Sequence, residues 1–321
     1  MSLAEFALID RIRARSGARA DVVLGIGDDA ALLQPAPGQW LAVTADTLNA
    51  GVHFPVETAP ADIGWKTLAV NLSDLAAMGA EPCWGTLALS LPQADAGWID
   101  AFADGFFALA DLHDWRLVGG DTTRGPLSLS VTAFGQVPHG TALRRDGAQV
   151  GDDIWVSGMP GEAAAALRLW QRGALAVERI AADTGHEQLR QRLLRPTPRI
   201  ALGLALRGIA SAAVDVSDGL LADLGHITAR SGVGAQLALD ALPLSAALRG
   251  SFDEEQARDC VLRGGDDYEL CFTAAPYQRG VLQALADQLQ LPLTRIGVIQ
   301  TGSGVQADGV PGPGGYQHFA G

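Results

Sequence analysis

The chain lacks several features whose absence narrows its function. Its 321 residues contain one lysine, Lys66, and Trp65 precedes it, so the Gly-Lys-Ser/Thr sequence of a Walker A phosphate loop is missing. No run of about 18 uncharged apolar residues is present, which predicts no membrane span. Glu5 and Asp10 interrupt the N-terminal apolar stretch, so no signal peptide is expected.

Cysteine and basic residues are also scarce. The three cysteines form no metal-binding spacing and no even set, which predicts buried thiols in a reducing, cytoplasmic compartment. The net charge of −13 and a sequence pI of about 4.8 argue against non-specific binding to nucleic acid. The question is then whether the acids lie on the surface or hold cations.

The length and composition predict two globular domains. A hydrophobic content of 48% with 39 glycines and 16 prolines is typical of a folded chain with many tight turns. A Gly-rich, charged segment from 138 to 153 is interpreted as the junction, which predicts domains 1–140 and 141–321. Both halves alternate strands with helices, and this favours an α/β (α+β) fold.

One apolar helix is the feature around which the N-terminal half is interpreted. Leu68, Leu72 and Leu75 recur at helical spacing, and Asp74 is the only ionisable side chain between Lys66 and Glu81. A carboxylate on so apolar a helix requires a cation or strong donors opposite it. The alternative is an exposed Asp on a solvent-facing stripe.

Other acids follow predicted strands. A strand over 22–24 leads into the glycines before Asp29, and a strand from Trp40 is expected to end at Asp46. Residues 119–124 are predicted to form a Gly-rich loop, and 127–137 an antiparallel strand. Asp215 lies inside a later strand, whereas Asp218 could instead be the N-cap of the next helix.

The chemistry of this set points to a divalent cation. Two carboxylates about 4 Å apart repel by on the order of 4 kcal/mol at an effective dielectric near 20, so converging acids require cations between them. All the candidate ligands are hard oxygens, which favours Mg²⁺, an ion that usually joins one or two carboxylates to substrate phosphates. The pattern therefore indicates phosphoryl transfer by positioning and charge neutralisation.

Six motifs together resemble one family. They are Gly25–Asp29, Thr44–Asp46 with His53, Asn71–Gly79, Gly119–Arg124, Asp215–Leu220 and Gly264–Leu270. In this order and spacing they resemble the thiamine-monophosphate kinases, of the superfamily of aminoimidazole ribonucleotide synthetase-like ATP-using enzymes.

The resemblance implies an activity, a fold and roles for single residues. The activity is Mg²⁺-dependent, direct in-line transfer of the γ-phosphoryl of ATP to thiamine monophosphate, giving thiamine diphosphate and ADP. The fold is an N-terminal mixed sheet that forms a dimer-interface barrel, followed by a C-terminal α/β domain, in a homodimer. The dimer would also give edge strands, such as the one expected over 127–137, a partner. The implied metal ligands are Asp29, Thr44, Ala45, Asp46, Asp74, Asp121, Asp215 and Asp218. The implied ATP contacts are Gly120, Asp121, Arg145 and Ser217, and the implied substrate contacts are His53, Asp266 and Tyr316.

Two alternatives remain open at this point. Another ATP-dependent synthetase of the same superfamily would share several of the motifs. A non-catalytic cation-binding protein would pack its oxygen ligands into one short loop, whereas the candidates here are spread from Asp29 to Asp215. His53 also has a structural interpretation, because a lone histidine is often only a packed side chain.

Overall fold

The chain folds into two compact units. The computed structural model describes residues 5–307, with side chains from residue 7 onward. Within that range unit 1 contains residues 5–75 and 80–140, and unit 2 contains residues 76–79 and 141–307. The predicted contact residue Tyr316 lies outside the described residues.

Unit 1 is built on a four-stranded mixed sheet in the order β3-β6-β4-β5, in which only β4 and β5 are parallel. The short strands β1 and β2 form a separate antiparallel pair. The elements in this part of the chain are α1 (Glu5–Arg13), β1 (Val22–Leu24), β2 (Leu32–Leu33), β3 (Gln39–Asn49), α2 (Pro60–Ala77), β4 (Glu81–Leu91), α3 (Ala96–Leu112), β5 (Arg116–Arg124) and β6 (Ser128–Pro138).

Helices α2 and α3 pack closely against each other. A Cβ atom added at Gly105 would lie 1.7 Å from the carbonyl oxygen of Ala61, so only glycine permits this approach of the two backbones. The predicted apolar face of α2 is confirmed, since Leu68, Leu72 and Leu75 are all buried. This packing fixes the helix that carries Asp74.

Three predictions for unit 1 are wrong. Residues 119–124 continue strand β5 instead of forming a loop, because the Gly-Gly pair lies flat against β4, where a Cβ on Gly120 would lie 1.9 Å from the Leu87 carbonyl oxygen. Strand β3 runs past Asp46 to Asn49 because it stays paired with β6 throughout. Strand β6, expected at an edge, lies between β3 and β4, and the edges are β3 and β5.

Unit 2 contains a six-stranded sheet in the order β12-β9-β11-β7-β10-β8, antiparallel except for the β12–β9 pair. Its elements are β7 (Asp153–Ser157), α4 (Glu162–Gln171), α5 (Thr184–Leu194), α6 (Ile200–Ala205), β8 (Ala212–Val216), α7 (Leu220–Ser231), β9 (Gly234–Leu237), α8 (Ala246–Ser251), α9 (Glu254–Arg263), β10 (Glu269–Ala274), α10 (Arg279–Leu289), β11 (Leu293–Gln300) and β12 (Gly304–Ala307).

The core of unit 2 lies around the strands β7, β8 and β10. Every residue of these three strands is buried, so both faces of this part of the sheet are covered. The predicted class, mixed α/β in two domains, is confirmed. In the described part of the chain, no helix combines the length and apolar character needed to span a bilayer.

Candidate active site

Asp74 faces the sheet of unit 1. It lies in the last turn of α2, is half-buried, and accepts a hydrogen bond from the hydroxyl of Thr44 on β3. Asn71, one turn earlier and fully buried, accepts the backbone N–H of Asp46 at 3.0 Å and donates to the Thr67 carbonyl at 3.2 Å. The solvent-stripe interpretation of Asp74 is therefore wrong, because this side of α2 is turned toward β3.

The donors gathered here fit a hard cation. Thr44 and Asp74 place a hydroxyl and a carboxylate oxygen in direct contact, and Asp46 lies on the same strand two residues on. Mg²⁺ takes such oxygen ligands and completes its shell with water and substrate phosphates. The chemistry of the donor set therefore suits Mg²⁺, which would neutralise phosphate charge at this place.

Asp46 and Asp121 lie at opposite edges of the same sheet. Asp46 on β3 pairs with Val131 on β6, which pairs with Leu87 on β4, which pairs with Gly120 on β5. Three strand spacings separate β3 from β5 by about 14 Å. Two Asp side chains at that separation cannot share one ion with Mg–O distances of about 2.1 Å.

Asp29, the remaining predicted metal ligand of unit 1 with an acidic side chain, lies in an exposed loop. The N–H of Asp29 donates to the Asp28 side chain at 2.9 Å, a local turn contact. Across residues 5–307, no group of three or more His, Cys, Asp or Glu side chains is placed closely enough to hold a metal ion. Within one chain, the predicted ligands of unit 1 are thus brought together only as the Thr44–Asp74 pair and the neighbouring Asp46.

His53 lies in a tightly held turn after β3. Its Nδ1 atom accepts the N–H of Asn49 at 2.9 Å, so the neutral ring carries its proton on Nε2. Lys66 is only 2% exposed, and its Nζ donates to the His53 carbonyl at 3.1 Å. His53 is thus oriented as a hydrogen-bond donor through Nε2.

In unit 2, the predicted ligands Asp215 and Asp218 lie at the end of β8 and in the turn that follows it. Asp215 is buried in β8, and the N-cap of α7 is Gly219, so the interpretation of Asp218 as the N-cap is wrong. The turn is held by Asp223, which sequence reasoning missed. Its buried position raises its pKa to about 7, and the charge of Asp218 adds to this effect although three backbone N–H groups oppose it. The signal that could have revealed it is an acid four residues after the glycine that precedes the helix.

Asp266 lies in a strained loop before β10. Asp266 and Tyr268 have positive φ angles of 68° and 53°, which side chains rarely adopt. The Tyr268 hydroxyl donates to Asp266 at 3.0 Å, and the Asp266 N–H donates to the Ser217 carbonyl at 2.8 Å. Asp267 between them is fully buried and accepts the Gly161 N–H at 2.7 Å, and burial raises its pKa well above the ordinary value.

Glu269 anchors this loop from its C-terminal side, and sequence reasoning also missed it. It is fully buried, and its carboxylate accepts from Ser157 at 2.5 Å, from Arg192 at 2.6 Å and from Arg199 at 2.6 Å. The charge of Glu269 is the largest of the influences that raise the pKa of Arg199, against the opposing effect of burial. Arg145, by contrast, is exposed, and its carbonyl accepts from Ser231 at 2.9 Å.

Comparisons with known proteins agree along the whole chain. The model of the N-terminal domain of AIR synthase related proteins matches residues 27–137, and that of the C-terminal domain matches residues 149–309. Thiamine-monophosphate kinase of Salmonella typhimurium (strain LT2) is 50% identical over 328 residues, covering 100% of this chain and 99% of that protein. The crystal structure of thiamine-monophosphate kinase from Stenotrophomonas maltophilia K279a is 70% identical with a TM-score of 0.91, covering 96% of this chain and 98% of that one. The structure of AaThiL complexed with AMPPCP and TMP is 33% identical with a TM-score of 0.80, covering 99% of each chain.

Proposed function

The chain belongs to the thiamine-monophosphate kinases of the AIR synthase related family, and from this membership we propose that it transfers the γ-phosphoryl group of ATP to thiamine monophosphate. The products are thiamine diphosphate and ADP. The observation that carries the proposal is the 50% identity to a thiamine-monophosphate kinase over the whole of both chains. The AaThiL structure complexed with AMPPCP and TMP supports the same pair of substrates.

The reaction is tested directly with purified protein, Mg²⁺ and ATP. Thiamine monophosphate should yield thiamine diphosphate and ADP in equal amounts. Formylglycinamidine ribonucleotide, the substrate expected for a synthetase of the superfamily, should yield no ADP above background. ADP release that depends on the ribonucleotide instead would refute the proposal.

We propose that Mg²⁺ is held by the oxygen side chains described above, with Ala45 contributing its carbonyl. In unit 1 the contact between Thr44 and Asp74 supports this assignment, because it places two hard donors together. The bound ion would neutralise phosphate charge, and the chain's own residues bind and align the reactants. The full ligand set is Asp29, Thr44, Ala45, Asp46, Asp74, Asp121, Asp215 and Asp218.

The proposed nucleotide contacts are Gly120, Asp121, Arg145 and Ser217, and the proposed contacts to thiamine monophosphate are His53, Asp266 and Tyr316. The orientation of His53 supports its role, because its Nε2–H can donate to a phosphate oxygen. The transfer is proposed to be direct and in line. Inversion at a chiral γ-phosphorus is the expected result, and net retention would indicate a phosphoenzyme.

The open sheet of unit 1 supports a homodimer. Strand β3 is an edge, and it exposes the apolar side chains of Trp40, Leu41 and Val43, of which Val43 is 58% exposed. Unpaired apolar edges are normally covered. Two copies of a four-stranded sheet can close into an eight-stranded barrel in which β3 of one subunit lies beside β5 of the other. Asp46 would then lie near Asp121 of the partner subunit.

Mixing two inactive variants tests this shared arrangement. Asp46→Asn and Asp121→Asn should each abolish turnover as homodimers. In a heterodimer, one site receives both substitutions and the other receives none, so random exchange of subunits should restore about one quarter of the wild-type activity. If both residues act within one subunit, mixing restores nothing.

We also propose a cytoplasmic location. All three cysteines are buried and unpaired, as expected in a reducing compartment, and the reaction consumes ATP. Cell fractionation followed by the thiamine monophosphate assay is the test. Activity found mainly outside the cytoplasmic fraction would contradict the proposal.

A further inference from the structure

The turn that follows β8 is organised by a carboxylate from the helix it introduces. Asp223 lies in the first turn of α7 and is 3% exposed. Its Oδ2 atom accepts three backbone hydrogen bonds, at 3.0, 3.1 and 3.1 Å, from the consecutive residues Ser217, Asp218 and Gly219. One side chain therefore satisfies all the backbone donors of this turn.

The opposite side of the turn is held as well. The Ser217 carbonyl accepts the Asp266 N–H at 2.8 Å, and the Val216 carbonyl accepts the Tyr268 N–H at 2.8 Å. A Cβ atom on Gly265 would lie 2.5 Å from the Ser217 carbonyl oxygen, so the two segments touch directly. The turn is thus fixed between Asp223 and the strained loop.

In this turn the backbone N–H groups are already hydrogen-bonded, whereas two side chains are available to a ligand. A row of free N–H groups at the start of a helix is a common site for phosphate. Here an internal carboxylate accepts the N–H groups of the three residues before α7, so these three donors are not available to a phosphate. The Ser217 hydroxyl and the Asp218 carboxylate remain for a ligand.

We infer that Asp223 is a positioning residue for the nucleotide, which holds the turn so that Ser217 and Asp218 meet ATP and its cation through their side chains. The inference rests on the proposed function, because it takes the roles of Ser217 and Asp218 from it. The Asp223 carboxylate acts through the turn, whose three N–H groups it accepts. Its removal should weaken nucleotide binding and leave the binding of thiamine monophosphate nearly unchanged.

The test is a double-mutant cycle with separate KM values. Asp223→Ala should raise the KM for MgATP about tenfold, while the KM for thiamine monophosphate changes by less than about twofold. In a Ser217→Ala background the same change should have a clearly smaller effect, because the positioned hydroxyl is already absent. Asp223→Asn keeps an oxygen that can accept the N–H groups and should recover most of the loss. Titration calorimetry with a non-hydrolysable ATP analogue should follow the same order without any turnover.

Controls distinguish positioning from general damage. Asp95→Ala, in unit 1, removes a carboxylate that accepts two backbone N–H groups at the start of α3, and it should change neither KM. Thermal unfolding shows which variants are folded. If Asp223→Ala does not fold, Asp223→Asn replaces it in the comparison. The KM for MgATP should then rise by a smaller factor, and the KM for thiamine monophosphate should stay unchanged. Equal changes in both KM values, or full additivity with Ser217→Ala, overturn the inference. The proposed function fails differently, because the wild-type protein would then form no thiamine diphosphate.

Discussion

Glu269→Gln is expected to destabilise unit 2 strongly while changing the side-chain volume very little. The carboxylate is fully buried and is the shared partner of two guanidinium groups, those of Arg192 and Arg199. Gln can keep the hydrogen bond from Ser157, but it leaves both cations without their charge partner. Breaking a buried ion pair from one side typically costs about 3–5 kcal/mol.

The surroundings place the expected loss at the lower end of that range. Glu162 lies 3.7 Å from Arg192 and would still compensate part of the positive charge. The side chains of Arg192 and Arg199 are also 14% and 17% exposed, so water relieves some of the remaining cost. We therefore expect a loss of about 3 kcal/mol, or a fall of roughly 6–12 °C in Tm for a unit of this size.

Scanning calorimetry of the wild type and the variant is the assay. The matched control is Glu254→Gln, which breaks an exposed pair with Arg258 at 2.8 Å and should change stability by less than about 0.5 kcal/mol. If Glu269→Gln lowers Tm no more than the control does, the buried pairs contribute little and the reasoning is refuted.

Three further changes have distinct signatures. A hydrogen bond from Arg190 lowers the pKa of Glu187 to about 2. Glu187→Gln should therefore lower the free energy of unfolding by about 1–2 kcal/mol at pH 7, measured by urea titration. That difference should shrink as pH falls from about 4.5 toward 2, because the wild-type carboxylate is then protonated; a constant difference would contradict this. Gly105→Ala should destabilise by about 1–3 kcal/mol because its Cβ meets the Ala61 carbonyl, whereas Gly97→Ala in the same helix should be neutral or mildly stabilising in thermal melts. Mg²⁺ at about 100 times its Kd should stabilise the wild type by roughly 2.7 kcal/mol over EDTA, and equal stabilisation of Asp74→Asn would argue against that ligand.

Periodic patterns predicted the parts of the fold that depend on neighbours along the chain. The spacing of Leu68, Leu72 and Leu75 was sufficient to locate the buried face of α2 and to place Asn71 on the side of Asp74. Such spacing identifies the buried face of a helix even when the element that packs against it is unknown. The mixed two-domain class followed for the same reason.

Features set by distant partners could not be read in this way. The glycines of 119–124 favour a loop by composition, but pairing with β4 makes them a strand. The partners of Glu269 lie 70 and 77 residues away at Arg199 and Arg192. A carboxylate in a strand shows nothing locally of such partners, so the sequence did not reveal the cluster.

The burial of Lys66 allows local opening of the structure around it to be measured by chemical labelling. Because this is the only lysine and it is 2% exposed, an amine-acylating reagent can reach a lysine amine only when α2 or the His53 turn opens. The acylation rate at Lys66, read as one mass increment on one peptide, therefore measures how often this region opens. A ligand that contacts His53 should slow that reaction in proportion to its occupancy, so binding becomes measurable without turnover.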